Sequence, residues 1–295
     1  MILSENQIKS ILTKASEERG TKIVEDFLNN LKPFLNSDDV KNVYDVTYEK
    51  MLEGHKTAQV VNGKYQIHIY MQPVYEYICR KCRREHNVLE IGCGSGSLLM
   101  ALACQNDFGG DAGEYVGIDF NPHVIEQAME RVQKDGLKNC RFICCDANDF
   151  SSKQEYDYII LSDVIEHLSD RELRKLMNTC HELLSEGGEL VMHTPNGLNR
   201  NCQTDSTLFS RLYYRVYSGV TGQKYKKNFE QLYYEQAHIN VKSYRCWKRF
   251  FNNIGYSLKV KYDKECNEHD LFWKTLQQML HLEGNMLLVA KKKVR

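Results

Sequence analysis

This chain of 295 residues has no excess of charge of either sign: Lys plus Arg and Asp plus Glu each number 39, and the formal net charge is zero. No global field therefore draws it toward nucleic acid or an anionic membrane, although a local basic patch is left open. No stretch approaches the ~18 consecutive apolar residues of a membrane-spanning helix, so no span is expected. Residues Met1 to Asn6 lack the basic segment and apolar run of a secretory leader, which makes the cytoplasm the expected compartment. Internal repeats and low-complexity segments are also missing. The 11 cysteines are odd in number and fall mostly in expected core strands and helices, so they read as reduced, small apolar fillers rather than a disulfide framework. Cys79 and Cys82 have metal-ligand spacing, yet no second pair supplies the remaining ligands of a zinc site.

What is present is a change of texture. Residues 1 to about 60 are polar with helical spacing, as in Ile8, Ile11, Leu12 and then Ile23, Val24, Phe27, Leu28, Leu31, and predict an N-terminal extension of amphipathic helices. From residue 61 short apolar runs alternate with amphipathic helices, the pattern of βαβ units and a parallel sheet. Strands are expected at Asn87 to Gly92, Tyr115 to Asp119, Arg141 to Cys145, Tyr156 to Ser162 and Glu189 to Thr194. The intervening helices begin at Gly96, after Asn121-Pro122, and at Asp170. The second places Val124, Ile125, Ala128, Met129 and Val132 on one face, and the third should run to about Leu184 and stop at Gly187-Gly188. The alternation breaks at Pro195. Residues 196 to 242 read as a lid insertion after the fifth strand, over the ligand crevice, before a helix from Ser243 to Asn253. Two closing strands, Ser257 to Tyr262 and Asn285 to Lys291, flank a helix around His269 to His281.

Glycines 92, 94 and 96 lie directly between a strand and a helix, where the lack of a Cβ lets backbone approach a nucleotide closely. A dinucleotide fingerprint would place its third glycine at position 97, which is Ser97, so the spacing argues against NAD. Carboxylates accompany the strand ends: Glu90 inside the first, Asp119 ending the second, Asp146 after the third. A carboxylate at the second strand's tip is placed to accept ribose hydroxyls. No Lys or Arg lies in the glycine loop. A ligand with a ribose and no phosphate suits that arrangement, and S-adenosylmethionine is such a ligand.

Glu90 through Gly96, Asp119 and Asp146 together resemble the class I S-adenosylmethionine-dependent methyltransferases, specifically the small-molecule branch of ubiquinone- and menaquinone-type enzymes. The resemblance covers residues 85 to about 195 well and the last 50 loosely. It implies a Rossmann-like methyltransferase fold of the α/β class: a seven-stranded, mostly parallel sheet with one antiparallel strand and helices on both faces. The expected cofactor is S-adenosylmethionine, with S-adenosylhomocysteine as product. Glu90, Gly92, Cys93, Gly94 and Gly96 would cradle its methionine and ribose portions, Asp119 would hold the ribose hydroxyls, and Phe120 would flank the adenine. Asp146 and the Ala147 amide would read the adenine edge, and Ser162, Asp163 and His167 would shape the donor pocket. Residues 1 to 60 and 196 to 242 have no counterpart in it.

Ser162-Asp163-Val164-Ile165-Glu166-His167 follows the fourth strand, at the sheet edge where ligands meet in open α/β folds. Transfer from a sulfonium needs alignment, exclusion of water and in some cases a base, and histidine titrates near neutral pH. His167, His193 at the tip of the fifth strand and His238 before the last helix are the catalytic candidates. The bland alternatives are that Glu166-His167 caps the next helix and that His193 is a satisfied strand-end residue. Asp163, Glu166, His167 and His238 also resemble the Glu-Glu-His-His metal site of small-RNA 2′-O-methyltransferases. The same segment is ordinary among metal-free members, however, and no metal is expected. The lid interleaves Arg211, Tyr213, Tyr214, Arg215 and Tyr217 with Lys224 to Lys227, which fits an RNA strand or, preferred here, an amphipathic cover over a small-molecule pocket. The expected function is methyl transfer to an O, N or C nucleophile of a small-molecule acceptor, with a homodimer left open. RNA or protein methylation and a non-catalytic partner subunit are the rival readings.

Overall fold

Seven of the apolar runs meet in one sheet in the computed structural model, which describes residues 60–61, 64–65, 67, 71–106, 113–197, 238, 240–262 and 285–293. The expected N-terminal helices, most of the expected lid and the expected helix around His269 to His281 lie outside the described residues. The chain divides into two compact units, residues 1–57 with 203–239 and residues 58–202 with 240–295, and every described element belongs to the second. A two-stranded antiparallel hairpin, β1 (Val60–Val61) and β2 (Lys64–Tyr65), precedes the main sheet. The sheet then follows with β3 (Val88–Ile91), β4 (Tyr115–Asp119), β5 (Cys140–Cys144), β6 (Tyr156–Ser162), β7 (Leu184–Pro195), β8 (Tyr256–Tyr262) and β9 (Asn285–Lys292). Its order is β5-β4-β3-β6-β7-β9-β8. Pairing is parallel from β5 through β7, and β9 runs antiparallel to both of its neighbours. The order reverses between β3 and β6, which opens a crevice beyond the carboxyl ends of those strands.

Side chains alternate across the pleat and build two cores. Leu89, Ile91, Ile159, Leu161, Leu190 and Met192 face one side, under the helices α4 (Asp170–Leu183) and α5 (Tyr244–Asn253), whose Leu173, Leu176, Trp247 and Phe251 complete that layer. Val88, Tyr158, Ile160 and Val191 face the other, under α1 (Gln72–Cys79), α2 (Ser97–Asn106) and α3 (Pro122–Asp135). Strands covered on both faces can be wholly apolar, as β6 is in Ile159-Ile160-Leu161, all without exposure. Each such side chain contributes about 1.5–3 kcal/mol by leaving water.

Local signals set the helix ends. Asn121 caps α3 by accepting the His123 N–H at 2.9 Å, with Pro122 at the first helical position and Gly136 left-handed at the end. Ser169 and Glu172 form a reciprocal capping box at the start of α4, so the reading of Glu166-His167 as that helix's cap is corrected. Three further expectations shift. The helix before β7 ends at Leu183 and the strand begins at Leu184, because Gly187-Gly188 falls inside an irregular stretch of β7 where its register against β6 shifts. Met129 is 55 % exposed rather than on the packed face, since Val124, Ile125 and Ala128 already fill the contact. Three of the described cysteines, Cys104, Cys144 and Cys246, are exposed and three are buried, so core filling accounts for only part of the set. The sequence reading also passed over α1, a short helix that buries only Val74, Tyr77 and Ile78. That helix is tied to the sheet by Glu189 of β7, which accepts from the Tyr77 hydroxyl at 2.8 Å and pairs with Lys81 and Lys291 at 3.1 and 3.0 Å.

Candidate active site

The turn from β3 into α2 is built for close approach. Gly92, Gly94 and Gly96 all have positive φ, at 72°, 51° and 75°, a region that costs an L-residue roughly 1–2 kcal/mol. A Cβ at Gly92 would stand 2.7 Å from the Val164 side chain, and one at Gly96 would run into the Phe142 ring. The loop is thus wedged between the segment after β6 and β5, and its backbone is the surface it offers. Cys93 is buried within it.

Asp119 ends β4 with both carboxylate oxygens engaged: Oδ2 accepts the Gly94 N–H at 2.9 Å and Oδ1 the Asn121 N–H at 3.0 Å. It therefore ties the glycine loop to the tip of the next strand. Burial raises its pKa, and backbone N–H groups of Asn121, Gly94 and Phe120 oppose that rise. The carboxylate's remaining lone-pair capacity is open to a ligand hydroxyl. Phe120 follows immediately and is half-buried, and its carbonyl receives the Cys144 thiol at 3.6 Å. Asp146 and Ala147 are half-buried after β5, and Asp146 Oδ1 accepts from the Asn148 N–H and side-chain amide at 2.9 and 3.0 Å.

Glu90 lies inside β3, two residues before the loop, and is 1 % exposed. Burial and the nearby Asp119 push its carboxyl up to about 8, against one backbone hydrogen bond from Leu99, and its Oε2 has no hydrogen-bond partner. An orphaned, buried carboxyl oxygen beneath a loop that a Cβ would fill fits a ligand carrying both a cationic group and a ribose. The residues present therefore fit S-adenosylmethionine.

A second group gathers at the tips of β6 and β7. Ser162 and His193 are paired in register. Asp163, just beyond, is the only described non-glycine residue with positive φ, 54°. Its N–H donates to the His193 carbonyl at 3.0 Å, and its Oδ1 lies 2.8 Å from His193 Nδ1. Strain of this kind persists where the surroundings hold it; here two bonds to one residue do so. Behind it, the short 3₁₀ turn Ile165–His167 buries Glu166 completely. One carboxyl oxygen of Glu166 accepts from the Thr194 hydroxyl at 3.1 Å and the other has no partner. Burial and the Asp163 charge raise its pKa, while His193 and Thr194 work against the rise. His167 is half-buried on the same turn. The Ser162 hydroxyl is also buried without a partner.

The structure thus brings together Glu90, the three glycines, Cys93 and Asp119 in one cradle, and Ser162, Asp163, His167 and His193 in a neighbouring one at the same sheet edge. His238 is half-buried and belongs to the other compact unit. Three contributors escaped the sequence reading. Thr194 supplies a buried hydroxyl at the tip of β7; Val164 bounds the glycine loop; and Asn240 fixes the Glu166 turn by donating its N–H to the Glu166 carbonyl at 2.9 Å and its side-chain amide to the Leu168 carbonyl at 2.7 Å. Only Thr194 left a trace, as a polar residue one step beyond His193.

Comparison with known proteins agrees with this geometry. A family model described as a methyltransferase domain matches residues 83–242, more than half of the chain. The probable (S)-tetrahydroprotoberberine N-methyltransferase 2 of Papaver bracteatum is 24% identical over 172 residues, 54% of this chain and 47% of that one. The ubiquinone biosynthesis O-methyltransferase of Nitrobacter winogradskyi is 27% identical over 140 residues, 44% of this chain and 49% of that one. The chain spans about half the length of the curated relatives it matches. Among solved structures, the magnesium protoporphyrin IX methyltransferase from Synechocystis PCC 6803 with bound SAH superposes with a TM-score of 0.54 at 13% identity, covering 88% of this chain and all of that one. No helix among the described residues is long and apolar enough to cross a membrane.

Proposed function

Because the chain belongs to the methyltransferase-domain family, with the fold of class I S-adenosylmethionine-dependent enzymes, we propose that it transfers a methyl group from S-adenosylmethionine to an O, N or C nucleophile of a small-molecule acceptor. When bound, the cofactor supplies an electrophilic methyl on a sulfonium, so the protein's task is alignment, exclusion of water and handling of one proton.

The observation that carries the donor half is the bond between Asp119 and the Gly94 N–H at 2.9 Å, above the orphaned Glu90 oxygen. In this reading Asp119 accepts the ribose hydroxyls, Gly92 to Gly96 approach the methionine portion with backbone, and Glu90 supplies the counter-charge for its ammonium. Phe120 flanks the adenine, whose edge is read by Asp146 and the Ala147 amide. Ser162, Asp163 and His167 close the pocket on the side of the acceptor.

For the acceptor half, the pairing of Asp163 with His193 favours a working histidine over a plain strand-end one. A carboxylate on Nδ1 fixes the orientation of this fully buried ring. His193 and His167 are the candidates to hold the acceptor's proton, with His238 third. The two named relatives are an N- and an O-methyltransferase, which supports keeping both acceptor atoms open.

Calorimetry with S-adenosylhomocysteine tests the donor half. Saturable binding is expected, and no binding at millimolar concentration refutes the reading. Transfer of labelled methyl from the donor to a small-molecule extract, and not to its RNA or protein fractions, tests the acceptor class.

A further inference from the structure

The two helices on one face carry charge that neither the fold nor the donor site explains. From Asn240 to Tyr262 the sequence has six cations, Lys242, Arg245, Lys248, Arg249, Lys259 and Lys261, and no acid, in a chain whose net charge is zero. Arg245, Lys248 and Arg249 are exposed along one stripe of α5, and Arg171, Arg174 and Lys175 are exposed at the same spacing on α4. The helices are neighbours: the Arg174 guanidinium lies 4.8 Å over the Phe250 ring, and Lys242 reaches Asp170 at 2.7 Å. Among the described residues no salt bridge joins an acid to any of the six stripe cations, although the Arg174 charge helps to lower the Asp170 pKa. Asp170 is taken by Lys242, and Glu172 by the Ser169 cap.

Stability accounts for only part of this placement, through Arg174 over the Phe250 ring and Lys248 over the Tyr244 ring. Arg171 and Arg245 stand in the first turns of their helices, where the macrodipole disfavours cations, and the like charges three and four residues apart on each helix repel. The first turn of α4 balances this with Asp170 and Glu172, whereas the first turn of α5 has no acid. The cations are retained against those costs, which directs attention to an anionic partner.

The rest of the face narrows the partner's chemistry. A protein interface needs an apolar or aromatic anchor at its centre, but among the described residues the one large hydrophobic side chain that is exposed is Met129, on α3 against the opposite core. Single-stranded nucleic acid needs rings on which bases stack, yet Trp247 and Phe250 are buried and Tyr244 is half-buried. A fluid layer of anionic headgroups requires neither anchor nor stacking platform, only a cationic surface. We propose that the paired stripes of α4 and α5 dock this protein on an anionic lipid surface. Both helices start at the carboxyl edge of the sheet, where the Gly197 N–H meets the Lys242 carbonyl at 3.1 Å. Docking therefore brings the edge that holds Asp163, His167 and His193 toward the bilayer.

Sedimentation of the full chain with extruded vesicles tests this. One set is pure phosphatidylcholine, the other three parts phosphatidylcholine to one part phosphatidylglycerol. Binding to the second set alone is expected, weakening steeply with added salt. Each cation removed should cost about fivefold in partition coefficient, graded through R245Q, R245Q/R249Q and R171Q/R245Q/R249Q. The charge reversal R245E/K248E/R249E should lose more than about a hundredfold, with S-adenosylhomocysteine affinity unchanged as proof of folding. Equal binding to both vesicle sets, anionic binding that survives the reversal, or tighter binding to a single-stranded oligonucleotide than to vesicles of equal phosphate concentration would each overturn the proposal.

Discussion

The sharpest consequence of the donor site is proton release from Glu90. Its carboxyl is pushed up to about 8 by burial and by Asp119, so at pH 6.5 the ligand-free protein holds it neutral. A ligand that brings an ammonium against the orphaned Oε2 favours the ionised form, and the proton must leave as the ligand enters. Affinity for S-adenosylhomocysteine should then rise with pH below 8, approaching tenfold per unit, since one pH unit is worth about 1.4 kcal/mol. Between pH 6 and 8 the gain is up to about 2.7 kcal/mol, or roughly a hundredfold. Titrations at pH 6.5 in buffers of different ionisation enthalpy should show close to one proton released. Glu90→Gln should abolish the release and flatten the pH dependence, keeping the weak affinity of the acidic limit. The same shift has a converse effect on the empty protein. The folded state binds more protons than the unfolded one between the ordinary glutamate range and pH 8, so stability falls as pH rises through that window, and Glu90→Gln should remove that loss. Binding with no proton release in wild type, or an unchanged pH profile in Glu90→Gln, would refute the assignment.

Other outcomes follow from the same geometry. Asp119→Ala should weaken S-adenosylhomocysteine binding by roughly 1–3 kcal/mol through lost charge-assisted hydrogen bonds, and unchanged affinity by calorimetry would remove Asp119 from the site. Gly96→Ala should lower the melting temperature and donor affinity together because its Cβ meets the Phe142 ring at a positive φ; adding Phe142→Leu should recover part of the stability, leaving a backbone cost of roughly 1–2 kcal/mol. Asp163→Gly should relieve the positive φ while breaking the bond to His193, so thermal stability is kept while methyl transfer falls by about tenfold or more. Asp163→Gly with full turnover would make the pair structural. Chelation by EDTA should leave transfer unchanged, and activity lost to EDTA and restored by a divalent ion would show that a metal takes part.

The sheet was legible in advance because its evidence is local. Ile159-Ile160-Leu161 can only be a strand covered on both sides, and Asn121-Pro122 announces a helix start whatever surrounds it. The donor cradle was legible for a related reason. Its glycines and carboxylates sit at fixed distances from strand ends, so register alone carries Glu90, Gly92 to Gly96 and Asp119 to one edge. What failed were features set by contact between segments far apart in sequence. Nothing near Gly187 reveals that β7 continues through it; that follows from pairing with Tyr156, some thirty residues earlier. Glu166 looked like a helix cap until Thr194 and Asn240 arrived from two other segments to hold its turn.

The pairing of Asp163 with His193 shows where such reading can be pushed further. Both residues stand at the carboxyl tips of β6 and β7, which pair in the sheet, and adjacency at one edge places two polar side chains within reach. What sequence could not supply was the left-handed backbone at Asp163, which turns that reach into two bonds. A bulky residue there would meet the same strain, whereas Asp is among the few non-glycine residues that tolerate it. The choice of Asp over Glu at position 163 is therefore a backbone requirement as well as a chemical one. On this argument Asp163→Asn should keep the turn while losing the charge beside His193, and Asp163→Glu should keep the charge while losing the turn. If the turn positions the histidine and the charge holds its ring, Asp163→Asn should lower the rate of methyl transfer with wild-type thermal stability. Asp163→Glu should lower the melting temperature. Equal turnover in Asp163→Asn and wild type would mean that the charge has no part in the histidine's work.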